Sequence, residues 1–176
     1  YLKVLVGRDM NKYLWVVILA AMSSQAQELP NRLIDYGQFQ QNVVSVAKIR
    51  RQNRLSEAQF IALAQQPGTV VLDARSERMF NRLHIDGAVN LSFPDFTEQE
   101  LAKIIPTKDS KVLIYCNNNF TNAPASFPAK TPAASLNLHT YNALHSYGYT
   151  QIYELGPLLD ASATAIRLVG TERSLH

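Results

Sequence analysis

Apolar positions along the chain fall into two kinds of pattern. Residues 69–74 (TVVLDA) and 111–115 (KVLIY) are aliphatic runs without regular polar alternation, the mark of strands covered on both faces. Residues 151–155 predict the last clear strand, stopped by Gly156-Pro157. Residues 43–49 alternate loosely and predict a first strand after a polar lead-in, 27–41, that has room for a short helix. Residues 87–91 read as another short strand. Helical signals fall between the strands. Ser56-Glu57-Ala58-Gln59 is a capping box, followed by Phe60, Leu63 and Ala64 on one face, and predicts a helix to about Gln66, where Pro67-Gly68 ends it. Residues 76–83 predict a short polar helix, and a second capping box, Thr97-Glu98-Gln99-Glu100, opens a helix to about Ile104. Thr131-Pro132 has the form of an N-cap followed by proline at the first helical position. It predicts a helix through Leu136, Tyr141, Leu144 and Tyr147, ended by Gly148. Residues 117–131 hold two prolines, four asparagines and no apolar period, and read as a long loop. Alternating strands and helices of these lengths predict an α/β fold, a central parallel sheet flanked by helices on both faces.

Composition narrows the function. At 176 residues, 47% hydrophobic and 18% charged, the chain is of a size and composition to bury a core. The net charge of +3 is mostly N-terminal, because Lys3, Arg8 and Lys12 face Asp9 alone within residues 1–26. The remainder is nearly balanced, which argues against a nucleic-acid partner. Residues 10–26 combine Lys12, an apolar run from Tyr13 to Met22 and small residues at Ser24 and Ala26, the three parts of a secretory signal. Such a run rises roughly 15 Å as a helix, too short to span a bilayer. The expectation is an exported protein, periplasmic if bacterial, with membrane contact only through that segment if it stays uncleaved. Cys116 is the sole cysteine, which excludes an intramolecular disulfide and a cysteine-based zinc cage. It ends a buried strand and opens a polar loop, the end of an α/β sheet where ligands bind. Converging loop amides there would favour a thiolate nucleophile, and burial as a small hydrophobe is the plainer alternative.

Asp73-Ala74-Arg75 follows a buried strand, and His84-Ile85-Asp86-Gly87-Ala88-Val89-Asn90 begins eleven residues after Asp73. With the later strand ending on Cys116, this order resembles the rhodanese (sulfurtransferase) family. Gly148-Tyr149 and Ile152-Tyr153-Glu154-Leu155-Gly156 are similar to that family's closing helix–strand segment. The resemblance divides the chain into 1–26 (upstream residues plus signal peptide), a lead-in 27–54, a rhodanese-like domain 55–160 and a tail 161–176. It implies that Cys116 is the persulfide-bearing nucleophile, taking sulfane sulfur from a thiosulfate- or polysulfide-like donor and passing it to a thiol or cyanide. Asn117, Asn118, Asn119, Phe120 and Thr121 match the cradle loop whose amides would hold the persulfide. Arg75 matches a structural position that also faces the site mouth, and Asp73, His84 and Asp86 match structural positions. The implied partners are a small sulfur-containing substrate and a thiol protein acceptor or reductant, with no cofactor and no metal. Four departures stand against the pattern. Asn119 occupies the usual loop glycine, no Arg or Lys lies between Cys116 and Lys130, and Pro157-Leu158 replaces a second glycine and a tryptophan. Residues 122–130 look inserted, and would either displace the following helix or form a lid carrying Phe127. The asparagine run would either donate to an oxyanion or form turns. The alternative reading is a non-catalytic rhodanese-fold module that binds a protein partner or a sulfur species. Phosphatase chemistry on this fold needs an arginine where Asn122 stands, and is excluded.

Overall fold

The unalternated apolar runs lie side by side in one sheet. A computed structural model describes residues 31–172, so the signal-like pattern of residues 10–26 lies outside the described residues. The chain divides into two compact units, Tyr1–Asp35 and Tyr36–His176. Of the first, residues 31–35 are described, a turn in which Asn31 accepts from the amides of Leu33 and Ile34.

In the second unit five parallel strands run in the order β1 (Arg54–Leu55), β7 (Gln151–Leu155), β5 (Lys111–Tyr115), β2 (Val70–Asp73) and β4 (Val89–Asn90). Side chains alternate across a strand, so each central strand feeds two cores. Val71, Leu113, Tyr115 and Leu155 pack on one face with Phe60 of α2 (Glu57–Ala64). Leu72, Val112, Ile114 and Ile152 pack on the other. That second core also takes Val46 of α1 (Tyr36–Gln52), Leu101 of α4 (Glu98–Ile104), and Tyr141 and Leu144 of α5 (Leu136–Ser146). A parallel sheet with helices on both faces is therefore the architecture, as the alternation of elements predicts. Both capping sites hold their helices. Ser56 and Gln59 exchange hydrogen bonds ahead of α2, and Thr97 accepts from Glu100 N ahead of α4.

Three expectations need correction. Residues 43–49 are not a strand; they lie inside α1. Phe39, Val43 and Val46 are spaced at helical intervals, and α1 is held by tertiary partners: Asn42 donates to Ser146 Oγ (2.8 Å) and Arg50 pairs with Glu154. Those contacts override the strand preference of β-branched residues. The helix expected from Thr131 instead begins as a short 3₁₀ turn, Pro132–Ala134, and the α-helix starts at Leu136 with Ser135 as its cap. Residues 161–172, read as the start of a tail, are folded. Ala161, Ile166 and Leu168 are buried in the first core. There β9 (Leu168–Val169) pairs antiparallel with β3 (His84–Ile85), and β8 (Leu159–Asp160) pairs with β6 (Phe120–Thr121).

Gly170 fixes the exit from β9. Its φ is 145°, and an added Cβ would stand 2.4 Å from the carbonyl oxygen of Arg82. Gly170→Ala is expected to lower stability by about 1–3 kcal/mol through strain and overpacking. A urea titration should show a reduced midpoint with an unchanged slope.

Candidate functional site

Cys116 leaves the carboxyl end of β5 in extended conformation, and Asn117–Asn119 then form one 3₁₀ turn. That turn is closed at both ends. The Asn119 amide donates to Cys116 O (3.1 Å), while Cys116 N donates to Asn119 Oδ1 (2.9 Å). Two polar groups reach the sulfur, an amide that donates to it and a hydroxyl that can donate or accept. The Asn118 amide and the Ser135 hydroxyl each lie 3.4 Å from Sγ. Ser135 makes no side-chain bond to its own helix, which leaves its hydroxyl for the sulfur, and it sets the positive N-terminal end of α5 beside the thiol. No sequence signal marks Ser135, because Thr131-Pro132 offers a stronger capping pattern.

The three asparagines act as staples. Asn117 donates to Pro128 O (2.8 Å), and Asn118 exchanges bonds with the backbone of Lys130 (2.7 and 3.2 Å). Asn119 donates to Leu155 O and Pro157 O while accepting from Cys116 N and Asn137 Nδ2. Turn and loop formation thus uses the carboxamides that an oxyanion would otherwise take. The segment 122–130 is consequently bound down against the cysteine loop, and the chain returns so that α5 begins at the sulfur. Phe127 is buried against Phe120 (centroids 4.6 Å apart) and is no lid tip.

Two parts of the expected cradle do not assemble around the thiol. Phe120 is a core residue, edge-on to Tyr115, and Thr121 belongs to β6, where its hydroxyl donates to Leu159 O. The chain turns into this strand directly after Asn119, so a full ring of amides does not form. Arg75 is likewise committed elsewhere. It is 2% exposed, and its guanidinium donates to Asp73, to Leu83 O and to Ser126 O while lying 4.2 Å from the Phe127 ring centroid. Tyr115 completes this network by donating to Asp73 (2.5 Å). Burial, reinforced by the Asp73 charge, pushes the Tyr115 phenol well above its ordinary pKa, which keeps it a neutral donor. His84 Nδ1 contacts Phe80 O and the ring stacks on Phe80, both structural roles.

Cys116 is 1% exposed. Beside it lies a polar hollow of about 270 Å³ whose wall includes Asn118 and Ser135. A second hollow, about 420 Å³, has Asn117, Leu136 and Lys130 in its wall. Among the described residues no group of three or more His, Cys, Asp or Glu is placed to hold a metal.

The family profile of the rhodanese-like domain matches residues 56–155. The chain belongs to the rhodanese-like family. The rhodanese-like fold is also seen in solved structures. The BH2092 protein of Bacillus halodurans is 17% identical with a TM-score of 0.51, covering 75% of this chain and 88% of its own. The rhodanese-like domain of the Anabaena Alr3790 protein is 18% identical with a TM-score of 0.50, covering 70% and 83%. No curated protein matches the chain. As a rhodanese-like domain the protein is of sulfurtransferase type or a sulfur-binding module, with sulfur compounds as the expected substrates. The family span runs from just after β1 to Leu155, so α1, β1 and everything from β8 onward lie outside the matched residues.

Proposed function

We propose that this rhodanese-like protein is a sulfurtransferase that carries sulfane sulfur as a persulfide on Cys116. The observation that carries the reading is the placement of Sγ at the end of the central strand, with the Asn118 amide of the following turn donating to it and the Ser135 hydroxyl at the head of an 11-residue helix in hydrogen-bond contact. In the first half-reaction the thiolate attacks the outer sulfur of a thiosulfate- or polysulfide-like donor. A new S–S bond forms and the donor leaves with the electron pair of the bond that breaks, as sulfite or a shortened polysulfide. In the second, a thiol or cyanide takes the outer sulfur and the Cys116 thiolate is regenerated. The Asn118 and Ser135 donors suit sulfur carrying negative charge in both halves. Export is part of the proposal, supported by the signal-like order of residues 10–26. In that compartment an unpaired thiol is open to oxidation, so a thiol protein serving as reductant or acceptor belongs to the same proposal.

A second reading has its own support. The thiol is almost fully covered and the amide ring is incomplete, which favours a module that binds a partner or a sulfur species without turnover. Mass spectrometry separates the two. After incubation of the reduced protein with polysulfide, the transfer reading expects a gain of one sulfur atom on Cys116 that cyanide removes as thiocyanate. No gain, or a gain that neither cyanide nor a thiol removes, establishes the binding module instead.

A further inference from the structure

The hollow beside the thiol has a charge and hydrogen-bond pattern of its own. Glu154, 1% exposed, receives two guanidinium groups: Arg50 on both oxygens (2.5 and 2.6 Å) and Arg54 on one (3.0 Å). Arg54 also donates to Gly156 O. Two positive charges against one negative leave an excess of one positive charge. The Nη1 donors of both arginines have no partner among the described residues. The Arg54 side chain is 48% exposed, so it is open to a ligand.

Across the hollow, Asn137 is 4% exposed and its Oδ1 is buried without a hydrogen-bond partner. The orientation of this carboxamide is set by its neighbour. Asn119 Nδ2 is spent on Leu155 O and Pro157 O, so Asn119 presents Oδ1 to Asn137, which must answer with Nδ2. The orphan atom is therefore an acceptor, and leaving it unpaired costs about 1–3 kcal/mol. A ligand that fills the hollow would bring an anionic group to the arginines and an N–H donor to Asn137. At about 270 Å³ the space lies below the ~300–1,000 Å³ of pockets for larger ligands, and suits a small solute. Asn118 and Ser135 stand both in its wall and 3.4 Å from Sγ.

We propose that this hollow is a subsite for the amino-carboxylate end of a small thiol of the cysteine type, which acts as sulfur acceptor. The carboxylate sits against Arg54 and Arg50, the ammonium donates to Asn137 Oδ1, and the thiol is directed toward Cys116 past Ser135. This rests on the sulfur-transfer reading. In the step itself the acceptor thiolate, its proton released to solvent, attacks the outer persulfide sulfur. The new S–S bond forms on the acceptor, the bond to Cys116 breaks, and its electron pair returns to Sγ.

Two measurements on the full chain test the subsite and the chemistry separately. S-methylcysteine, which keeps the amino-carboxylate and has no thiol, is titrated calorimetrically into the wild type, Arg54→Gln and Arg54→Lys. Binding is expected to weaken about tenfold in Arg54→Gln and by less in Arg54→Lys, which keeps the charge but not the fork. Transfer from the persulfidated protein is then compared for cysteine and 2-mercaptoethanol, and the preference for cysteine is expected to fall about tenfold in Arg54→Gln. Absence of S-methylcysteine binding, or equal binding in all three proteins, overturns the subsite. Equal preference in wild type and variant overturns it as well, with sulfur transfer left standing. If no persulfide forms while S-methylcysteine binds in an Arg54-dependent way, the transfer reading falls and the hollow stands as an amino-acid site.

Discussion

Arg75→Met is expected to destabilise the protein by about 3–5 kcal/mol, a large share of the ~5–15 kcal/mol by which a domain is stable. The guanidinium is almost fully buried and bonded to Asp73, itself 0% exposed, at 2.6–3.1 Å. Removing it leaves a carboxylate with no counter-charge between two cores, and strips the carbonyls of Leu83 and Ser126 of a donor. Methionine fills much of the volume but donates nothing. The pair does not have to add net stability for this cost to arise, because the cost comes from the abandoned charge. The double variant Asp73→Leu/Arg75→Met should therefore recover part of the loss. Urea denaturation of the two variants decides the matter, and a single-variant cost under about 1 kcal/mol would show that Asp73 finds another partner.

Cys116→Ser is expected to reduce thiocyanate formation from a sulfane donor and cyanide to background, the largest functional effect available. Stability should change by less than about 1 kcal/mol. The residue is 1% exposed, so the tolerance comes from its partners. A serine hydroxyl accepts from Asn118 N and bonds to Ser135 as the thiol does, so no buried polar group is stranded. Transfer that persists in the variant would remove Cys116 from the chemistry. Circular dichroism melts of the same samples guard against loss of fold as the cause.

Much of the frame was legible because local and tertiary demands agree. Residues 111–115 and 151–155 are strands to the residue: the first has an aliphatic run buried on both faces, and the second is stopped by Gly156-Pro157. Ser56 caps a helix whose own side chains already favour it. The misreadings fall where distant partners decide. Val43 to Ile49 is helical because α5 and Glu154 hold α1 from across the chain, which no local window contains. The resemblance assigns Thr121 to the cradle, whereas the chain is drawn away into a strand paired with Leu159 and Asp160. The resemblance places Arg75 at a structural position that also faces the site mouth. Its carboxylate lies two residues back, and the two close on each other inside the protein. Arg54, Ser135 and Asn137 had no motif to announce them, since each acquires its role only when the sheet edge, the loop end and the helix start converge.

The pairing of β6 with β8 has a practical consequence for anyone trimming the gene. A fragment cut at the family boundary, residue 155, would discard Leu159 and Asp160 and with them the rail along which Phe120 and Thr121 lie. The turn bearing the thiol would keep its Asn117 and Asn118 staples but lose the paired strand that receives the chain after Asn119. Its downstream flank would swing free, and the first core would lose Ala161, Ile166 and Leu168, so a minimal expression boundary set by homology would yield a thinned scaffold with a slackened reactive loop.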